Sequence, residues 1–155
     1  MFTRQDILDI AIRLEENGEK TYLAACEHAP STDIKDLLTW IAEEERHHAR
    51  WFSALKERLE KGEDHALMAE FSQALVEDVV KGQTFSLQEV DFAAIDSVDA
   101  MIRTFIGFED DTVAFYELLK SFINDPPTAA QLEIIIDEEK KHIARFQQML
   151  SENPA

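Results

Sequence analysis

The chain has 155 residues, 45% of them hydrophobic and 30% charged, and its 32 acidic against 15 basic side chains give a formal net charge of −17. This length suits one domain over 1–155 with a sizeable core. The acidity argues against nucleic acid or an anionic membrane surface as a main partner. Cys26 is the only cysteine, which excludes an internal disulfide and a Cys-x-x-Cys metal module, and a reduced, cytoplasmic location is expected.

The four Gly and four Pro leave room for long helices with few turns. The first residues read as a helix start, with Thr3 and Asp6 as a capping box, and not as a leader peptide. No apolar run approaches the ~20 residues that span a bilayer, so no membrane contact is expected.

Helix 1 is predicted to run to about Glu27, with Leu8, Ala11, Glu15, Gly18, Tyr22 and Ala25 on one stripe. Glu15 is the one charge on that stripe. After the turn at His28–Ser31, Ser31 or Thr32 caps helix 2, with Asp33 and Asp36 near its positive end. Its stripe is Ile34, Leu38, Ile41, Glu45, His48, Phe52 and Leu55, and Gly62 is the expected stop. Glu44 and His47 fall beside the stripe. The short connection makes helices 1 and 2 antiparallel neighbours.

Leu67, Phe71, Leu75 and Val79 predict a shorter helix over 63–81. Residues 83–93 read as a loop whose apolar side chains tuck onto the bundle. The chain thus divides into a hairpin (3–61), a long crossover (62–94) and a second hairpin (95–151). Helix 3 begins near Ile95–Ser97 and carries Ile102, Phe105, Glu109, Thr112, Tyr116 and Leu119. Asn124–Thr128 is a break, and Thr128 with Gln131 gives the next capping signal. Helix 4 carries Leu132, Ile135, Glu139, His142, Phe146 and Met149.

The two hairpins are copies. Adding 94 to each number maps Glu45 onto Glu139, His48 onto His142, Phe52 onto Phe146 and Tyr22 onto Tyr116. A lone Glu-x-x-His on a charged helix is commonly a surface pair. Two copies on apolar stripes, each following a helix with one inward glutamate, are a different matter, because buried carboxylates and imidazoles need a partner. Glu15, Glu45, His48, Glu109, Glu139 and His142 are therefore candidate metal ligands. Four carboxylates neutralise two divalent cations, and oxygen with imidazole donors suits first-row metals. The set corresponds to di-metal carboxylate bundles, in which two helices give a Glu and two give Glu-x-x-His. On symmetry, Glu45 and Glu139 would bridge, with Glu15 and His48, and Glu109 and His142, as terminal ligands.

Around this set, Tyr22 and Tyr116 are either core aromatics or hydroxyl donors to ligand carboxylates. Glu44 and Glu138 are either a solvated acidic turn or acceptors for the far ring nitrogens of His142 and His48, respectively. His28 and His65 lie in or near turns and receive no role.

These motifs resemble the rubrerythrin-like branch of the ferritin-like superfamily. They are Glu15 seven before Tyr22, Glu45-Arg46-His47-His48, Glu109 seven before Tyr116, and Glu139-Lys140-Lys141-His142. The resemblance covers nearly the whole chain apart from about 63–94. It implies an all-α, ferritin-like four-helix bundle holding two Fe ions, with Mn or Zn as substitutes. It further implies a homodimer reacting with hydrogen peroxide or dioxygen, with electrons from Fe²⁺ or a separate donor protein.

Departures from the family pattern matter too. Thr112 stands where rubrerythrins carry an additional glutamate, so the redox-linked carboxylate switch attributed to it is not expected here. No rubredoxin-like cysteine module is present. Bacterioferritins place a haem-binding Met straight after the helix 2 glutamate; Arg46 stands there, so no haem is expected. The leading expectation is a di-iron peroxidase, with a ferroxidase or iron-storage protein, and a non-catalytic metal-binding bundle, as the alternatives.

Overall fold

The structure, a computed structural model, describes residues 4–61, 74, 77–78 and 90–152. Four long α-helices hold most of the described residues: α1 (Arg4–Ala25), α2 (Thr32–Glu60), α3 (Val98–Lys120) and α4 (Pro126–Glu152). This is the all-α four-helix architecture expected from the stripes. The cap expected at Thr3 and the helix expected over 63–81 lie outside the described residues, apart from Ala74, Glu77 and Asp78, which are helical.

Helix ends follow local chemistry. Ser31 caps α2 by accepting a hydrogen bond from the Ile34 N–H at 3.3 Å, and Ser97 caps α3 by accepting from Ala100 N–H at 3.1 Å. Each satisfies a donor that the helix itself leaves unpaired. Two ends differ from the sequence expectation. The α-helical path of α1 stops at Ala25, and Cys26–His28 tighten into a 3₁₀ turn. Ala29 is extended, with ψ of 127°, because the ring of Pro30 disfavours helical backbone in the residue before it.

At the other end of the chain α4 starts at Pro126, ahead of Thr128. Asp125 is its cap, accepting from Thr128 N–H at 3.1 Å and from the Thr128 hydroxyl. Two prolines fit the first turn, where their missing N–H groups would have had no intrahelical acceptor.

Side-chain contacts fix the helix directions. Tyr22 meets Glu109 while Tyr116 meets Glu15, so α1 and α3 are antiparallel. His48 meets Glu138 while His142 meets Glu44, so α2 and α4 are antiparallel as well. Given antiparallel hairpins, α3 must then run parallel to α2. Parallel neighbours cannot be joined by a short turn, which agrees with the long stretch of sequence between α2 and α3. At its end, Val90 and Phe92 pack on the core, and the Phe92 ring stacks on His28 at 4.7 Å.

Two apolar clusters fill the bundle. One gathers Leu8, Leu14, Phe52, Phe115, Leu119 and Ile135; the other gathers Tyr22, Leu38, Ile41, Phe105, Phe108 and Phe146. Fully burying one such side chain contributes roughly 1.5–3 kcal/mol. Between the two clusters lies a layer of buried charged and polar groups. The apolar ends can offset its desolvation, and they fix its position along the helices.

Candidate metal centre

The polar layer consists of the six residues singled out from the stripes. Glu15, Glu139 and His142 are fully buried, and Glu45, His48 and Glu109 are no more than 4% exposed. Each helix delivers its members by spacing alone: a residue and its i+3 neighbour share one face, which sets His48 beside Glu45 and His142 beside Glu139. His47 is exposed, as its position off the stripe requires.

Two overlapping groups of donor atoms converge. Glu15, Glu45, His48 and Glu139 form one, and Glu45, Glu109, Glu139 and His142 form the other; within each, the donor atoms all lie within 4.8 Å of one another. Glu45 and Glu139 belong to both groups. This is the arrangement in which these two carboxylates would bridge a pair of cations.

Both imidazoles turn Nδ1 towards the cluster. His48 Nδ1 lies 2.8 Å from Glu139 and 3.5 Å from Glu15. His142 Nδ1 lies 3.3 Å from Glu45, 3.3 Å from Glu139 and 3.6 Å from Glu109. The opposite nitrogens are held from outside: His142 Nε2 by Glu44 at 2.8 Å, and His48 Nε2 by Glu138 at 3.2 Å. A carboxylate on Nε2 keeps a proton there and leaves the Nδ1 lone pair for a metal. The phenol hydroxyls complete the set, with Tyr22 donating to Glu109 Oε1 and Tyr116 to Glu15 Oε1, both at 2.6 Å. Each tyrosine thus holds the carboxylate of the other hairpin.

The electrostatics are those of a site built for cations. Burial, then the charges of Glu139, Glu15 and Glu109, pushes the Glu45 carboxyl well above its usual range. Burial, then Glu139, pushes Glu109 up to about 8. Glu139 is held low in spite of burial and the charge of Glu15, by its interactions with Glu109, His142 and His48. For His48, burial alone would lower the pKa, but hydrogen bonds with Glu139 and Glu15 outweigh it and carry the value up to about 11. His142 is likewise raised, burial being outweighed by Glu109, Glu139, Glu44 and Glu45. Burial, then neighbouring carboxylates, raises both phenols well above 10, so they stay hydroxyl donors. Protons hold this cluster together wherever cations do not, and metal binding would displace them.

Whether the layer fits metal ions is tested by its unsatisfied atoms. Glu15 Oε2, Glu45 Oε1, Glu109 Oε2, Glu139 Oε2 and His142 Nδ1 are buried without a hydrogen-bond partner. Buried polar atoms are almost always hydrogen-bonded, and four carboxylate oxygens crowded around one imidazole nitrogen are costly to bury unless protons or cations sit among them. Cations among them remove that penalty. The donors, carboxylate oxygen and imidazole nitrogen, suit first-row metals.

Two features were not read from the sequence. Trp40, 41% exposed, sets its ring edge-on to His142 at 5.4 Å; residue spacing on α2 gives no hint of a contact with α4. Gly18 lies directly against Glu45, and the signal available for it was a glycine inside a long helix. Cys26 is half-buried, with Sγ near Tyr22 O and Thr39.

Fold and site together define a helical bundle with a buried carboxylate–imidazole centre. The chain belongs to the rubrerythrin family, whose model matches residues 6–150. Its fold is also similar to a crystal structure from Thermotoga maritima described as a ferritin-like diiron-carboxylate protein. The two are 25% identical with a TM-score of 0.70, over 96% of this chain and 94% of that one. No curated protein matches the sequence. Among the described residues no helix is long and apolar enough to cross a membrane.

Proposed function

We propose that this protein is a di-iron oxidoreductase that reduces hydrogen peroxide. The observation that carries the reading is the convergence of two four-residue donor groups sharing Glu45 and Glu139, with five of their atoms buried without a hydrogen-bond partner. Glu15, His48, Glu109 and His142 would be the terminal ligands. When bound, two Fe²⁺ ions supply the two electrons that, with two protons, convert one H₂O₂ to two H₂O.

The chain's own contribution is placement. Glu44 and Glu138 fix the imidazoles with Nδ1 inward, and the tyrosine hydroxyls hold Glu109 and Glu15 against rotation. The apolar clusters on either side keep bulk water from the layer, which strengthens every charge interaction inside it. Glu44 and Glu138 are partly exposed, at 19% and 30%. They therefore connect each His Nε2 to solvent, a route by which protons reach or leave the ring.

The reading extends to the surroundings. A homodimer, a cytoplasmic location and an electron-donor protein are part of this reading, on the family resemblance.

Anaerobic Fe²⁺ titration followed by stopped-flow absorbance against H₂O₂ and O₂ tests the proposal. Two irons per chain, oxidised much faster by peroxide, are expected. Oxidation by O₂ as fast or faster, with continued turnover, would assign a ferroxidase instead. Binding of fewer than two metals, unaffected by Glu45→Ala or Glu139→Ala, refutes the di-metal centre itself.

A further inference from the structure

Gly18 sits one turn after Glu15, on the inward stripe of α1. A glycine inside a helix is unfavourable relative to alanine, because its backbone loses more freedom on folding. Nothing in the backbone requires it here, since the position lies within the regular path of α1. The reason is across the bundle. A Cβ added at Gly18 would lie 2.9 Å from Glu45 Oε2 and 3.5 Å from both Cδ and Cγ of the same side chain. That is closer than carbon and oxygen tolerate, and the atom in the way is the movable end of a carboxylate.

The missing side chain also leaves a cleft. It is narrow, about 10 Å³, and its lining includes Gly18, Tyr22, Glu45, Phe108, Glu109 and Thr112. Thr112 is the counterpart of Gly18 in the repeat, 94 residues on. It carries a side chain, is 7% exposed, and turns its hydroxyl back to Phe108 O at 2.9 Å. The two halves of the centre are therefore unlike at this point. One inward turn carries no side chain beside Glu45, and its repeat counterpart carries one.

We propose that Gly18 is a positioning residue for Glu45: its missing side chain makes the room in which the Glu45 carboxylate takes up the place it shares between the two donor groups. This rests on reading the layer as a two-metal site. Because Glu45 belongs to both groups, displacing its carboxylate weakens both metal positions. Because the obstructed atom is the end of a flexible chain, the fold itself accommodates a methyl group.

The test compares Gly18→Ala with the unaltered protein, using Co²⁺ as the probe metal in a chelator-competition titration and measuring the melting temperature of the metal-free forms. The metal-free variant is expected to melt at the same or a higher temperature, while both Co²⁺ affinities fall by about tenfold or more, the scale of a disturbed ligand-orienting contact. The visible Co²⁺ spectrum, which reports coordination, should change as well. Unchanged affinities and spectrum would overturn the proposal. So would a lower melting temperature of the metal-free variant, which would make the glycine a packing requirement of α1. If the unaltered protein fails to bind two Co²⁺ ions, the two-metal reading falls, and this inference falls with it. If it does bind two, a null result for Gly18→Ala counts against Gly18 alone.

Discussion

Tyr22→Phe removes one oxygen atom and nothing else, which makes it the sharpest probe of the crossed hydrogen bonds. The Tyr22 hydroxyl donates to Glu109 Oε1 at 2.6 Å, and both residues are about 2% exposed. A short O–H···O contact to a carboxylate in a dry layer is charge-assisted, and solvent screening hardly weakens it. Hydrogen bonds to charged groups contribute about 1.5–3 kcal/mol, so metal affinity should fall by roughly 10- to 150-fold on the scale of 1.4 kcal/mol per tenfold.

Phenylalanine keeps the ring and its edge contact with Phe105, at 5.0 Å, so the apolar cluster is left in place. Competition against a chromogenic chelator gives the affinity, and urea unfolding of the metal-free protein gives the stability. Tyr116→Phe should behave alike, since its bond to Glu15 Oε1 is also 2.6 Å and fully buried. Affinities within about twofold of the unaltered protein for both variants, under ~0.5 kcal/mol, would refute the reasoning. An effect in one variant only would show that the repeat is symmetric in geometry and not in energy.

Glu44→Gln and Glu138→Gln should each weaken metal binding by about 10- to 100-fold. Glu44 should show the larger effect, because its bond to His142 is 2.8 Å and its exposure 19%, against 3.2 Å and 30% for Glu138 with His48; the reverse order in a Zn²⁺ titration counts against these roles. Stability of the metal-free protein should fall as pH rises from 6 to 9. Glu109, at about 8, and Glu45 both lie above the ordinary carboxyl value of 4.5, so what each contributes is complete below that value and lost as pH rises through its raised one, which for Glu109 is about 8. His48 adds the same sign, its contribution present below 6.5 and lost towards 11, whereas Glu139 and Glu44, both lowered, contribute a constant amount across that window. A rise in unfolding free energy over the window contradicts this. Ser97→Ala should cost α3 about 1 kcal/mol by freeing the Ala100 N–H, visible as a lower urea midpoint with no change in metal affinity.

The sequence by itself determined the helices, their inward faces and the membership of the polar layer. Spacing of three and four is a local property, so Glu45 with His48, and Glu139 with His142, were bound to share a face whatever packed against it. The 94-residue repeat made the two hairpins equivalent before any contact was known. Helix ends were less legible. Thr128 and Asp125 both carry side chains that can cap, and only the placement of Pro126 and Pro127 in the first turn selected Asp125.

What the tertiary structure alone decided includes the pairing of each tyrosine with its carboxylate, 87 and 101 positions away, for which no local spacing exists. It assigned Tyr22 to Glu109 and Tyr116 to Glu15, crossing the hairpins because α1 and α3 run antiparallel. It turned Nδ1 of both histidines inward, and it set Gly18 against Glu45. Periodicity says which side of a helix faces the core. Only the packing of helices says what waits there.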